Sequence, residues 1–220
     1  MRTVVFDLDG TLADTSGDLI AAANACFEGM GLAVRLDPVA DAGIAVKGGR
    51  AMLTAGLERA GAFSEELIAR WYPELLAIYG AAIDRHTRFY PGALDAVQAL
   101  REAGYRVSIC TNKPEGLAET LMQRMGARGH FDALIGADTL PVRKPDPAPY
   151  VAAVERAGGQ VAQSLLVGDT ATDRNTARAA GVPCILVGFG PDGTAVSALE
   201  PEAMIGHFDE LAGAVARLIG

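Results

Sequence analysis

The sequence is poor in the residues that build soft-metal sites and histidine catalysis. Its 220 residues include three cysteines and three histidines. Cys26, Cys110 and Cys184 are far apart, at no zinc-ligand spacing, and their odd number does not make a disulfide framework. Cys110 and Cys184 sit inside apolar, strand-like runs, so they read as small core residues in a reducing compartment. His86, His130 and His207 each stand alone, which argues against a histidine base. No apolar run approaches the roughly 18 residues of a membrane-spanning helix. The chain opens on a strand-like segment without a basic-then-apolar leader pattern, so the expected location is cytoplasmic. Positive charge is also short, with 19 Lys and Arg against 27 Asp and Glu, a net charge of −8 and a pI near 4.9. Nucleic acid and anionic membrane are therefore not expected as partners. A small anionic substrate remains compatible, provided cations gather locally at its site.

Half of the residues are apolar, enough for a sizeable core in one domain or one domain with an insertion. The chain is organised around Thr3-Val4-Val5-Phe6-Asp7-Leu8-Asp9-Gly10-Thr11-Leu12. Val, Val and Phe suit a buried strand. Asp7 and Asp9 follow at i and i+2, so an extended backbone turns both carboxylates to one side. Two carboxylates about 5 Å apart repel by roughly 3 kcal/mol at an effective dielectric of 20, which calls for a cation or a shared proton. The competing reading is a strand followed by an ordinary Asp-Gly turn. A calcium loop fails, because its glycine position holds Leu12 and its final Glu position holds Asp18.

After Leu12 the pattern turns helical. Asp14, Thr15 or Ser16 can cap a first helix that runs to Gly29 or Gly31. Shorter periodic segments follow at 37–44 and 49–60. A stronger one begins at Ser64, with Leu67, Ile68, Trp71, Leu75, Ile78 and Tyr79 on one face. The block reads as a helical insertion over 14–86, between core segments 1–13 and 87–220. From Tyr90 onward strands are expected at 106–110, 133–136, 164–167, 184–187 and 204–205. They alternate with helices near 92–103, 114–125, 147–157, 172–180 and 208–218. This alternation predicts an α/β fold, a Rossmann-like doubly wound parallel sheet with an inserted α-helical cap.

In such sheets ligands bind beyond the carboxyl ends of the strands. The first strand delivers Asp7 and Asp9 there. The strand at 106–110 delivers Thr111-Asn112-Lys113 ahead of a helix, either as a phosphate seat or as a simple N-cap. Lys144 follows the strand at 133–136, pinned among prolines. The strand at 164–167 delivers Gly168-Asp169-Thr170-Ala171-Thr172-Asp173, whose acids could serve the helix dipole alone. Capping does not explain carboxylates on two strand ends with a lysine and a hydroxyl on two others.

These four pieces, in this order, resemble the haloacid dehalogenase superfamily over nearly the whole chain. Asp138-Thr-Leu-Pro, Arg143-Lys-Pro-Asp-Pro-Ala-Pro149 and Thr111-Asn-Lys-Pro114 are most similar to its phosphoglycolate phosphatases. The resemblance implies a Mg²⁺-dependent phosphatase of small anionic phosphorylated metabolites. It makes Asp7 the nucleophile that becomes an aspartyl-phosphate and Asp9 the general acid–base. Mg²⁺ would be held by Asp7, the Asp9 carbonyl and Asp169, with Asp173 orienting these ligands. Lys144 and Thr111 would hold the phosphoryl oxygens, with Asn112 among the substrate-binding residues. In the cap, Lys47-Gly48-Gly49-Arg50 departs from the Gly-x-Gly usual there. It is either a solvated turn or a pair of cations, Lys47 and Arg50, for a carboxylate on the substrate. A phosphoglucomutase-like phosphotransferase and a catalytically silent binding module are the alternatives.

Overall fold

The structure is a computed structural model that describes residues 1–220. The chain divides into two compact units, Met1–Ala13 with Phe89–Gly220, and Asp14–Arg88.

The first unit is built on a six-stranded sheet of β1 (Thr3–Phe6), β4 (Arg106–Cys110), β5 (Ala133–Ile135), β6 (Ser164–Gly168), β7 (Cys184–Val187) and β8 (Ala203–Ile205). Their spatial order is β5-β4-β1-β6-β7-β8, and every pairing is parallel. Parallel strands need crossover connections, which α5 (Ala93–Glu102), α6 (Glu115–Arg124), α7 (Ala148–Arg156), α8 (Ala171–Ala180) and α9 (Leu211–Ile219) supply or close. Helices cover both faces, so the strands are apolar throughout and do not alternate. Val5, Leu166, Cys110, Ile135, Cys184 and Leu186 pack with Tyr150, Val154 and Ala177 of α7 and α8 on one face. Phe6 packs edge-on against Phe131, with ring centroids 6.3 Å apart.

In register, Phe6 pairs with both Ile109 and Val167. Asp7, Cys110 and Gly168 therefore leave the three central strands at one level, and Thr111 and Asp169 follow one residue later. This is where the strand order reverses around β1, so the crevice falls beside Asp7.

The second unit is helical: α1 (Ser16–Gly29), α2 (Ala42–Ala45), α3 (Gly49–Arg59) and α4 (Glu65–Ala81). Ser64 caps α4 by accepting from the Leu67 amide. The helix expected over 37–44 shrinks to α2. Asp37 Oδ1 accepts from the amides of Val39 and Ala40, holding 37–41 as a turn that competes with helix. Trp71 is half-buried, its ring against Gly29. The chain leaves and returns through two short paired strands, β2 (Ala13–Asp14) and β3 (Arg88–Phe89). Just before β3, the buried Asp18 carboxylate of α1 accepts from the amides of His86 and Thr87. Cys26, Cys110 and Cys184 are all buried free thiols. No helix is long and apolar enough to cross a membrane.

Candidate active site

The site residues of the first unit are held by the loops that leave β1, β4, β5 and β6. After Phe6 the Asp7 amide still donates to the Val167 carbonyl, which continues the pairing with β6 by one residue. The chain then turns tightly, with the Leu8 carbonyl accepting from the amides of Leu12 and Ala13. Gly10 permits the turn at φ 81°, a conformation that side chains resist. Asp7 Oδ1 accepts from the Leu8 amide at 2.7 Å, leaving Oδ2 for Lys144, whose Nζ lies 3.1 Å away.

Lys144 is buried in the long connection after β5. Its Nζ also meets Asp173 Oδ1 at 2.6 Å. Asn112 is exposed and donates its side-chain amide to the Lys144 carbonyl, which anchors this loop. Asp173 opens α8 in a capping box with Thr170. Its Oδ2 accepts from the Thr170 hydroxyl at 2.7 Å and from the Thr170 amide at 3.1 Å. Gly168 makes room for this arrangement, because a Cβ there would collide with the Asp173 side chain.

Asp169 is buried, and Oδ1 accepts from the Thr11 hydroxyl at 2.8 Å. Asp169 Oδ2 is buried without a hydrogen-bond partner. An unsatisfied carboxylate oxygen of this kind is costly unless a ligand or ion serves it. The Gly190 backbone passes beside it, and a Cβ at Gly190 would stand 3.5 Å from that oxygen and 2.8 Å from the Gly10 carbonyl. Ligand oxygens of Asp7, Asp169 and Asp173 lie within 4.8 Å of one another. Three carboxylates thus face the single Lys144 ammonium, a formal deficit that a divalent cation matches. The donors are all hard oxygens, which suits Mg²⁺.

The electrostatics follow from this imbalance. Burial pushes the Asp7 carboxyl up, and although Lys144 opposes it, Asp173 and Asp9 add to the rise, to about 7. Burial, then Asp173 and Asp7, likewise hold Asp169 well above the usual carboxylate range. Burial alone would lower the Lys144 amine, yet Asp173 and Asp7 together drive it well above its ordinary value, so it is a fixed cation.

On the β4 side, Thr111 is buried and its hydroxyl accepts from the Lys113 amide at 3.2 Å. The first amide of α6, that of Glu115, is taken by Asp138 Oδ1 at 2.7 Å. Lys113 carried no role in the sequence reading. It is buried, and its Nζ meets Asp9 Oδ1 at 2.8 Å. Its i+2 spacing from Thr111, the relation used for Asp7 and Asp9, was the available signal. Thr11 was missed for the same reason as any buried hydroxyl in a turn, since its partner Asp169 is 158 residues away.

Lys47 and Arg50 belong to the helical unit. Both are exposed, and the Arg50 guanidinium lies 4.9 Å above the Tyr72 ring.

Residues 1–181 match the family model of the haloacid dehalogenase-like hydrolases. A phosphoglycolate phosphatase of Mesorhizobium japonicum is 40% identical over 216 residues, covering 94% of this chain and 92% of that protein. One from Agrobacterium fabrum is 36% identical over 213 residues, covering 96% and 91%. A predicted phosphoglycolate phosphatase from Haemophilus somnus 129PT has the same fold, with a TM-score of 0.85 over 97% of both chains at 22% identity. The chain belongs to the haloacid dehalogenase-like hydrolase family.

Proposed function

We propose that this protein is a Mg²⁺-dependent phosphatase of small phosphorylated metabolites, with 2-phosphoglycolate as its substrate. The observation that carries the reading is the convergence of Asp7, Asp169 and Lys144 at the strand ends, with one buried Asp169 oxygen unserved by any protein donor. The relatives named above supply the substrate.

Asp7, Asp169 and the Asp9 backbone carbonyl would hold Mg²⁺, which when bound neutralises phosphoryl charge and keeps Asp7 ionised. Asp7 attacks phosphorus through a carboxylate oxygen, and the bond to the leaving oxygen breaks as Asp9 protonates it. Asp9 then takes a proton from the water that attacks phosphorus of the Asp7 acyl phosphate, releasing phosphate and restoring the Asp7 carboxylate. Lys144 and the Thr111 hydroxyl hold the equatorial oxygens, and Lys144 also keeps Asp7 aimed. Asp173 holds Lys144 from the other side. Lys47 and Arg50 add positive charge that favours an anionic leaving group on an otherwise acidic protein.

The test is a screen of phosphorylated metabolites with Mg²⁺, on wild type and Asp7→Asn. Hydrolysis of 2-phosphoglycolate above all others, lost in Asp7→Asn, is the expected result. Transfer of the phosphoryl group to a sugar in place of water would identify a phosphotransferase. Absence of turnover on every ester would leave a binding module.

A further inference from the structure

We propose that Lys113 selects for an anionic leaving group by exchanging the Asp9 carboxylate for the substrate's own carboxylate, which frees Asp9 to handle the proton. The proposal rests on the roles given to Asp7 and Asp9 above and adds the residue that reads the substrate.

The first unit buries two lysines at this site, and they are differently committed. Lys144 lies between Asp7 at 3.1 Å and Asp173 at 2.6 Å, on the nucleophile side. Lys113 lies 2.8 Å from Oδ1 of Asp9, the proposed acid for the leaving oxygen. The Lys113 side chain is 3% exposed and that of Asp9 is 15% exposed, so the amine is the more deeply buried of the pair. A lysine shut away from water keeps its charge only beside an anion. In the arrangement seen here that anion includes Asp9, the group that must meet the leaving oxygen.

Two facts of substrate chemistry turn this pairing into a discriminator. The leaving oxygen must come within about 2.6–3.2 Å of Asp9 for proton transfer. In 2-phosphoglycolate one methylene separates that oxygen from the carboxyl carbon, so the carboxylate oxygens lie only about 3 Å further on. An amine already bonded to Asp9 is therefore within reach of them. Carboxylate for carboxylate, the exchange preserves a charge-assisted hydrogen bond of the same kind. A neutral leaving group offers Lys113 nothing, and Asp9 stays engaged. Discrimination thus comes from a buried charge whose carboxylate partner only an anionic leaving group can replace, which is more selective than shape alone. Lys47 and Arg50 are exposed and cannot act in this way.

The experiment compares 2-phosphoglycolate with 2-hydroxyethyl phosphate, in which a neutral CH₂OH replaces the carboxylate, on wild type, Lys113→Met and Lys113→Arg with Mg²⁺. Lys113→Met should shrink the preference in kcat/KM for 2-phosphoglycolate by about 10- to 150-fold, much of it in kcat. Lys113→Arg keeps the charge and should retain most of the preference. Thermal melting of each variant checks that the fold persists, and in a poorly folded Lys113→Met the Lys113→Gln protein gives the same comparison. Equal losses on both substrates overturn the proposal and make Lys113 a support for Asp9. An unchanged preference in Lys113→Met, with a collapse in Lys47→Ala or Arg50→Ala, overturns it in favour of the helical unit. A wild type with no preference for 2-phosphoglycolate overturns the substrate reading as well, which separates the two failures.

Discussion

Asp7 carries opposed demands. As the proposed nucleophile it must be ionised to attack, yet burial and two neighbouring carboxylates hold its carboxyl near 7 while Lys144 and the Leu8 amide oppose them. Asp7→Asn removes that charge at nearly constant shape. Turnover should fall to background, while the metal-free protein at pH 8 melts no lower than wild type, as read by activity and thermal denaturation. A phosphoryl group trapped on any other residue would sink the assignment. Asp9→Asn should slow turnover by roughly 10²- to 10⁴-fold through lost acid–base assistance, measured as kcat on an alkyl phosphate. Lys144→Met breaks a buried pair on two sides and leaves Asp7 and Asp173 facing each other. Loss of about 3–5 kcal/mol is expected from urea unfolding, together with loss of activity. A fully stable Lys144→Met protein would mean that these carboxylates are neutral.

At the scale of elements, the start of α8 depends on the absence of a side chain. Gly168→Ala would drive a methyl into Asp173, loosening both the capping box and the grip on Lys144. A destabilisation of about 1–3 kcal/mol with a marked fall in kcat is expected, whereas an ordinary strand glycine would tolerate alanine. In the helical unit, Asp41 is fixed bidentately by Arg59 at 2.6 and 2.8 Å and accepts from the Asp37 amide. The Arg59 side-chain hydrogen bonds and the Asp37 amide hold the Asp41 carboxyl down to about 2. A carboxylate depressed in the folded state stabilises above its unfolded value near 4 and loses that contribution as pH falls through 2. Asp41→Asn should therefore lower the melting temperature at pH 7 and make little difference near pH 2. With Arg59 half in water the loss is about 1 kcal/mol. Helix extents were largely legible because caps and periodicity are local. Ser64 announced α4, and Asp37 misled only because its side chain competes with the helix it precedes.

For the whole molecule, the acidic cluster ties stability to pH and, under the proposed function, to a bound metal ion. Asp7 and Asp169 are both raised in the folded state, Asp7 to about 7. A raised carboxyl lets the folded protein keep its proton where the unfolded chain loses it, so metal-free stability falls as pH rises from about 4 through 7. Mg²⁺ would offset the charge that appears in that window. Chelator should abolish activity, and saturating Mg²⁺ should raise the melting temperature by several degrees at pH 8 and hardly at pH 5. At a hundredfold excess over its Kd this corresponds to about 2.7 kcal/mol. An equal rise at both pH values would place the ion elsewhere. Ca²⁺ should restore little turnover, since it tolerates looser coordination than octahedral Mg²⁺.

The sequence by itself determined the parallel sheet with its flanking helices and the candidates Asp7, Asp9, Thr111, Lys144, Asp169 and Asp173. Apolar runs that end in chemistry-bearing residues are a one-dimensional signal, and β-sheet register turns strand ends into neighbours. Only the tertiary structure decided how these charges are shared. That Lys144 lies between Asp7 and Asp173, that Thr11 serves one oxygen of Asp169 and nothing serves the other, and that Lys113 holds Asp9 are relations between residues up to 158 positions apart. No local pattern encodes them, because pairing across a crevice depends on where separate strands end in space and on which polar atoms burial leaves in need of a partner.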